Sequence, residues 1–243
     1  MQFEAMLSER QLSRGFRNWW QRWTPGLNPS WLARMLSETE RTHLVVHWAD
    51  PLSSELPAHD ADLVAETAFG LFEQAIHSGC KVQDLSAETR VLAMQFATHR
   101  IMLLRGSGRS LNGHMGASHL HEAIQLASRL QVQLMKRGQP IEVQPRLTGL
   151  GIVNACHPDA IAGADLIEVK MSRNLFRLDD IRQVLIYMAL IWRGTDRKME
   201  TITLTNPRLG VDWQFHIKAL ANELSGKTAS EFFEAFEVMS HQL

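Results

Sequence analysis

A chain of 243 residues, 45% hydrophobic and 21% charged, has an ordinary globular composition and room for one or two domains. Its net charge of −1 excludes a uniformly basic nucleic-acid binder, so an anion-binding face must be a local patch or be completed by a partner. Cys80 and Cys156, with no CxxC pair, fit a reduced cytoplasm, and no apolar run approaches a membrane span or a signal-type core.

Residues 1–23 read as one amphipathic helix. Phe16, Trp19, Trp20 and Trp23 recur at helical spacing, with Arg10, Arg14, Arg17 and Arg22 interspersed. Such a stripe either stacks on a nucleic acid or docks into the protein's own core, and docking is the commoner use. Pro25-Gly26 and Asn28-Pro29 break the chain, and Ser30 reads as the N-cap of a short helix through Trp31, Leu32 and Met35. Leu44–Trp48 is a short strand candidate, followed by the Pro51–Pro57 loop. Residues 61–78 return to helical spacing and stop at Gly79. The next helix, Ala87 to Leu104, carries Val91, Leu92, Met94, Phe96, Ile101 and Met102 around much of its circumference, which predicts burial on several sides.

Gly106-Ser107-Gly108 and Asn112-Gly113 place a flexible linker at 106–116, between a mostly helical region at 1–105 and a second domain at 117–243. The linker lacks the Gly-Lys-Ser/Thr ending of a phosphate loop. Ser118 begins a long helix to Arg137. Ile141–Leu147, Gly151–His157 and Ala164–Met171 are strand candidates, with Asp159 just before the third. A helix over 179–192 opens on Asp179 and Asp180, which suit its positive end. Thr201–Thr205 and the alternating Val211, Trp213, Phe215 and Ile217 predict a hairpin with one wet face, and helices follow near 217–224 and 229–240. The expected class is α/β with a mixed sheet, in the order α-β-β-β-α-β.

Period-two alternation puts Glu168 and Lys170 on one strand face, with Val169 and Asp165 on the other. Asp159 and Glu168 are a carboxylate pair of the kind that holds Mg²⁺, a hard cation that keeps several waters. A lysine beside such a pair can position an attacking water and offset developing charge. Gln183 and Tyr187 stand at i, i+4 on the following helix, beside its packing stripe.

Pro158-Asp159, Glu168-Val169-Lys170 and the Gln183/Tyr187 pair together resemble the PD-(D/E)XK nuclease superfamily, in its RecB-like branch with a QxxxY motif. The resemblance covers roughly 122–215 and implies a restriction-endonuclease-like core with Mg²⁺ as cofactor, Mn²⁺ substituting. It implies Asp159, Glu168 and the backbone carbonyl of Val169 as metal ligands and Lys170 as the group acting on water. It assigns Gln183 and Tyr187 to positioning phosphate or buttressing the site. The branch also takes a metal-site residue from the preceding helix, which makes His119 and Glu122 candidates; an acid favoured by the helix dipole is the competing reading of Glu122. Arg146, Arg173 and Arg182 could contact phosphate or be solvated.

The function so implied is a Mg²⁺-dependent DNA nuclease with no nucleotide cofactor. It would be a subunit of a prokaryotic defence, restriction or DNA-processing assembly, with a protein partner or a second copy. A non-catalytic nucleic-acid-binding or scaffold subunit retaining the fold is the alternative. A strand-cleaving transposase-type subunit is a third reading.

Overall fold

A computed structural model describes residues 6–37, 45–105 and 116–242. Its centre is a six-stranded mixed sheet: β1 (Val45–His47), β2 (Ile141–Val143), β3 (Ala160–Ala162), β4 (Asp165–Val169), β5 (Thr201–Asn206) and β6 (Val211–His216), in the order β1-β6-β5-β4-β3-β2. Only β4 and β5 are parallel, and the crossover between them is the helix Leu178–Gly194. β3 and β4 form a hairpin closed by Gly163-Ala164, where Gly163 takes φ 57°, a conformation that a side chain disfavours. This tight turn sets Ala160 opposite Ile167, and so brings residue 159 toward the far end of β4.

Alternation along the strands divides the core in two. Ile161, Leu166, Ile202, Leu204, Trp213 and Phe215 face one apolar cluster, shared with α7 (Leu178–Gly194), α8 (Ile217–Ser225) and α9 (Ala229–Ser240). Ala160, Ala162 and Ile167 face the other, shared with α4 (Ala61–Ser78) and α6 (Ala117–Met135). Glu168 has the parity of Leu166 and therefore points toward α7.

The sheet differs from expectation at two strands. The segment expected as Ile141–Leu147 is regular only through Val143, because Gln144 takes φ 49° and turns the chain away. The expected strand Gly151–His157 contains only isolated bridges, from Val153 to Leu7 and Leu150 and from Cys156 to Leu147. The strand that pairs β2 with β4 is instead β3, so Asp159 precedes a strand where it was expected to follow one. The wet face expected for β6 is also covered. Asp212 is fully buried under α6, held by Gln133, by Arg137 and by Thr205 at 2.5 Å.

The N-terminal half shares these cores. The single helix expected over 1–23 is two, α1 (Glu9–Arg14) and α2 (Arg17–Trp23), broken where Gly15 leaves the helix and Phe16 takes φ 56°. Trp19, Trp20 and Trp23 are buried against Phe232 and Phe236 of α9, which removes them as a stacking surface for a nucleic acid. α3 (Pro29–Ser37) starts one residue earlier than expected, since the Asn28 side chain accepts from the Trp31 amide at 2.9 Å and Pro29 takes the first helical position. β1 adds to β6 at the sheet edge, where Trp48 N–H donates to Gly210 at 2.8 Å.

α5 (Ala87–Arg105) corrects the expectation of burial on several sides. Only Ala93, Ala97 and Ile101 are buried, while Val91, Leu92, Phe96 and Met102 are exposed. Its one described helix neighbour is α4, so the opposite face meets solvent. The expected linker at 106–116 lies outside the described residues except for Gly116, which precedes α6.

Candidate functional site

Glu168 and Lys170 end β4 and reach over the same face of the sheet. The Lys170 ammonium donates to Glu168 Oε1 at 2.8 Å and to Gln183 Oε1 at 3.1 Å, and lies 3.2 Å from Asp180 Oδ1. Asp159 joins them through the hairpin, its Oδ2 accepting from the Val169 amide at 2.7 Å. Asp159, Glu168, Val169 and Lys170 line one cleft of about 120 Å³ together with Arg10, Glu66, Arg100 and Gln144. That volume admits a hydrated ion and a phosphate group, not a large organic cofactor.

The site is electrostatically tense. Burial pushes the Asp159 carboxyl well above its ordinary value, and the nearby Glu168 charge pushes it further, against the pull of Lys170, the Val169 amide and Arg10. Burial works against the Lys170 ammonium, but Glu168, Asp180 and Asp159 outweigh it and hold the amine above the usual lysine range. Glu168 is 4% exposed, and with Oε1 committed to Lys170 its Oε2 is buried without a hydrogen-bond partner. An acceptor left so is costly unless something fills it. Cys156 is no competing nucleophile, because burial, with Glu9 and Glu168 nearby, pushes its thiol up to about 12.

Gln183 and Tyr187 both reach the site, as one connected pair: Gln183 Nε2 donates to the Tyr187 hydroxyl at 2.8 Å. They were expected beside the packing stripe of α7. Tyr187 is instead within it, 2% exposed and part of the main core, because α1 covers that side of the helix.

The structure does not bring His119 and Glu122 to this cluster. His119 Nε2 sits 3.1 Å from Asp60, and Glu122 is buried in an ion pair with Arg208 at 2.6 Å while accepting from Ser54 at 2.6 Å. Both belong to the first turn of α6, on the opposite side of the sheet from Glu168. Of the arginines singled out, Arg182 binds Ser13 O and lies over the Trp20 ring, Arg173 binds Leu56 O, and Arg146 is exposed. The cationic groups that do line the cleft, Arg10 and Arg100, come from α1 and α5. Neither stands in a motif, and only the packing of the N-terminal helices reveals them.

Among the described residues no group of three or more His, Cys, Asp or Glu side chains is gathered as a metal cluster. The acidic donors at the cleft are thus Asp159 and Glu168, with main chain beside them. No protein-family model matches this chain, and neither does any curated protein or solved structure.

Proposed function

We propose that the protein is a Mg²⁺-dependent nuclease of the PD-(D/E)XK kind, hydrolysing phosphodiester bonds in DNA at the Asp159–Glu168–Lys170 cleft. The observation that carries this reading is the buried, unpartnered Oε2 of Glu168 beside Asp159 and Lys170. Hard carboxylate oxygens without histidine or cysteine suit Mg²⁺, and a set of only two suits an ion that retains water. Asp159, Glu168 and the Val169 carbonyl would hold it. The order α6-β2-β3-β4-α7-β5 agrees with the restriction-endonuclease-like core implied by the motifs.

The bound ion would supply the charge that acidifies a water and neutralises phosphoryl oxygens. The chain's own groups supply the rest. Lys170, held protonated by its carboxylate neighbours, presents positive charge to a developing phosphorane and orients the water by donation. Gln183 keeps the ammonium at the end of β4. Arg10 and Arg100 at the cleft wall give a local basic contribution to a chain with no global positive charge.

The test incubates purified protein with linear and circular, single- and double-stranded DNA, with Mg²⁺ or Mn²⁺ or with chelator. Metal-dependent cleavage that Glu168→Gln abolishes is the expected result. One observation favours the scaffold alternative: Lys170 already neutralises Glu168 without any metal. DNA binding that neither metal nor Glu168→Gln alters, with no cleavage, would establish that alternative.

A further inference from the structure

We propose that Glu9, in the first turn of α1, is a positioning residue that acts through Tyr187 and Gln183 on Lys170. The Tyr187 hydroxyl donates to Glu9 Oε1 at 3.4 Å and accepts from Gln183 Nε2 at 2.8 Å. Gln183 Oε1 in turn accepts from Lys170 at 3.1 Å, and Lys170 also donates to Glu168 at 2.8 Å. A hydrogen-bonded line thus runs from the N-terminal helix to the carboxylate of β4.

The chemistry of its two ends fixes the direction of every bond between them. An ammonium only donates and a carboxylate only accepts. Lys170 therefore requires the carbonyl oxygen of Gln183, and Glu9 requires the proton of Tyr187, leaving the phenol oxygen to take the Gln183 amide. Both ends demand the same orientation of one side-chain amide. Without Glu9 the buried phenol proton loses its acceptor, and the nearest replacement is Gln183 Oε1 after a flip of that amide. The flip would turn an NH₂ group toward the ammonium and release Lys170 from one of its supports.

Glu9 is built to stay in place. Ser8 and Gln11 form a reciprocal cap that fixes the first turn of α1, with Gln11 N donating to Ser8 Oγ at 3.2 Å and Ser8 N to Gln11 Oε1 at 2.9 Å. Leu7 is anchored on both sides, its amide to Ile152 O at 2.7 Å and its carbonyl to the Asn154 amide at 2.9 Å. Arg182 of α7 donates to Ser13 O at 3.2 Å and ties the far end of the same helix. The Glu9 side chain is only 14% exposed, so a solvated surface role does not account for it.

For its consequence on cleavage the assignment rests on the nuclease reading above, but its geometry can be tested apart from it. The ¹⁵N-labelled full chain is compared with Glu9→Ala and Tyr187→Phe by side-chain amide spectra, the Gln183 signal being identified by its loss in Gln183→Met. Both variants should shift that signal and speed exchange of its protons. Both should lower kcat for DNA about tenfold, the equivalent of one lost hydrogen bond, with KM unchanged. The double variant should be no worse than either single one, as for links of one chain. A Gln183 signal unmoved by Glu9→Ala overturns the proposal, whatever cleavage does; if that variant does not fold, an unmoved signal in Tyr187→Phe overturns it equally. Absence of cleavage by the wild-type protein would sink the nuclease reading while the spectra still decide the positioning role.

Discussion

The amide of Val169 donates to Asp159 Oδ2 across 2.7 Å, tying the residue before β3 to the last residue of β4. Through this bond the hairpin holds Asp159 on the face that Glu168 shares. The acidic pair thus depends on the Gly163 turn as much as on its own residues, since a slip of one residue would send Glu168 to the α6 side.

Lys170→Ala should lower DNA cleavage by about 10²–10⁴-fold, the range for a lost general acid–base or electrostatic group. It should also lower the metal-free melting temperature, because Glu168 and Asp180 lose the cation between them. Mn²⁺ should recover part of that stability. Cleavage at the wild-type rate would rule out the role assigned to Lys170.

Tyr187→Ala and Leu185→Ala should destabilise the protein comparably, by about 2–5 kcal/mol, since both side chains lie in the main core. Tyr187→Phe keeps the ring and should melt close to wild type. Denaturant titrations of the three variants separate packing from hydroxyl chemistry. A Tyr187→Ala variant as stable as wild type would show that the ring is not part of the packing.

Much of the frame was legible in the sequence, and the reasons are local. The α7 stripe, the parity of Glu168 and Lys170, and the α4 stop at Gly79 follow from period and turn chemistry alone. Asp159 and Glu168 were legible as a pair because one hairpin connects them. Arg10, Glu9 and Arg100 were not, because they reach the cleft by long-range packing of α1 and α5 that no spacing encodes. The stretch 144–157 failed for another reason. Its apolar residues suit a strand, yet Gln144 and Gly151, with φ 49° and 57°, break the ladder into single bridges. The apolar circumference of α5 misled because composition reports what a helix could bury, not what covers it.

On the side of the sheet facing α6, Arg137 lies between Asp165, at 3.1 Å, and Asp212. Arg137→Met should cost about 3–5 kcal/mol by leaving two buried carboxylates without their cation. The pH dependence has a definite sign. Burial raises the Asp165 carboxyl above 3.8, against the pull of Arg137 and its threonine partners, so the folded state holds this proton more tightly than the unfolded one. Its contribution is complete below 3.8 and is lost as pH rises through the raised folded value. Asp165→Asn should flatten that decline in acid melts, and an unchanged slope would place its origin elsewhere.

The carboxylates themselves give the sharpest test. Asp159 and Glu168 share a cleft where burial and mutual repulsion already raise Asp159, so ionising both costs stability in metal-free protein. Asp159→Asn should therefore melt at or above the metal-free wild type. Glu168→Gln should not, because it strips Lys170 of its closest carboxylate partner. A cation that binds only the folded state stabilises it by mass action, about 2.7 kcal/mol at a hundred times Kd. Wild-type protein should gain melting temperature on adding Mg²⁺ or Mn²⁺ and lose the gain with chelator, and both variants should gain far less. Equal metal shifts in all three proteins would mean that the ion binds elsewhere and that Glu168 Oε2 is a structural cost with no ligand to offset it.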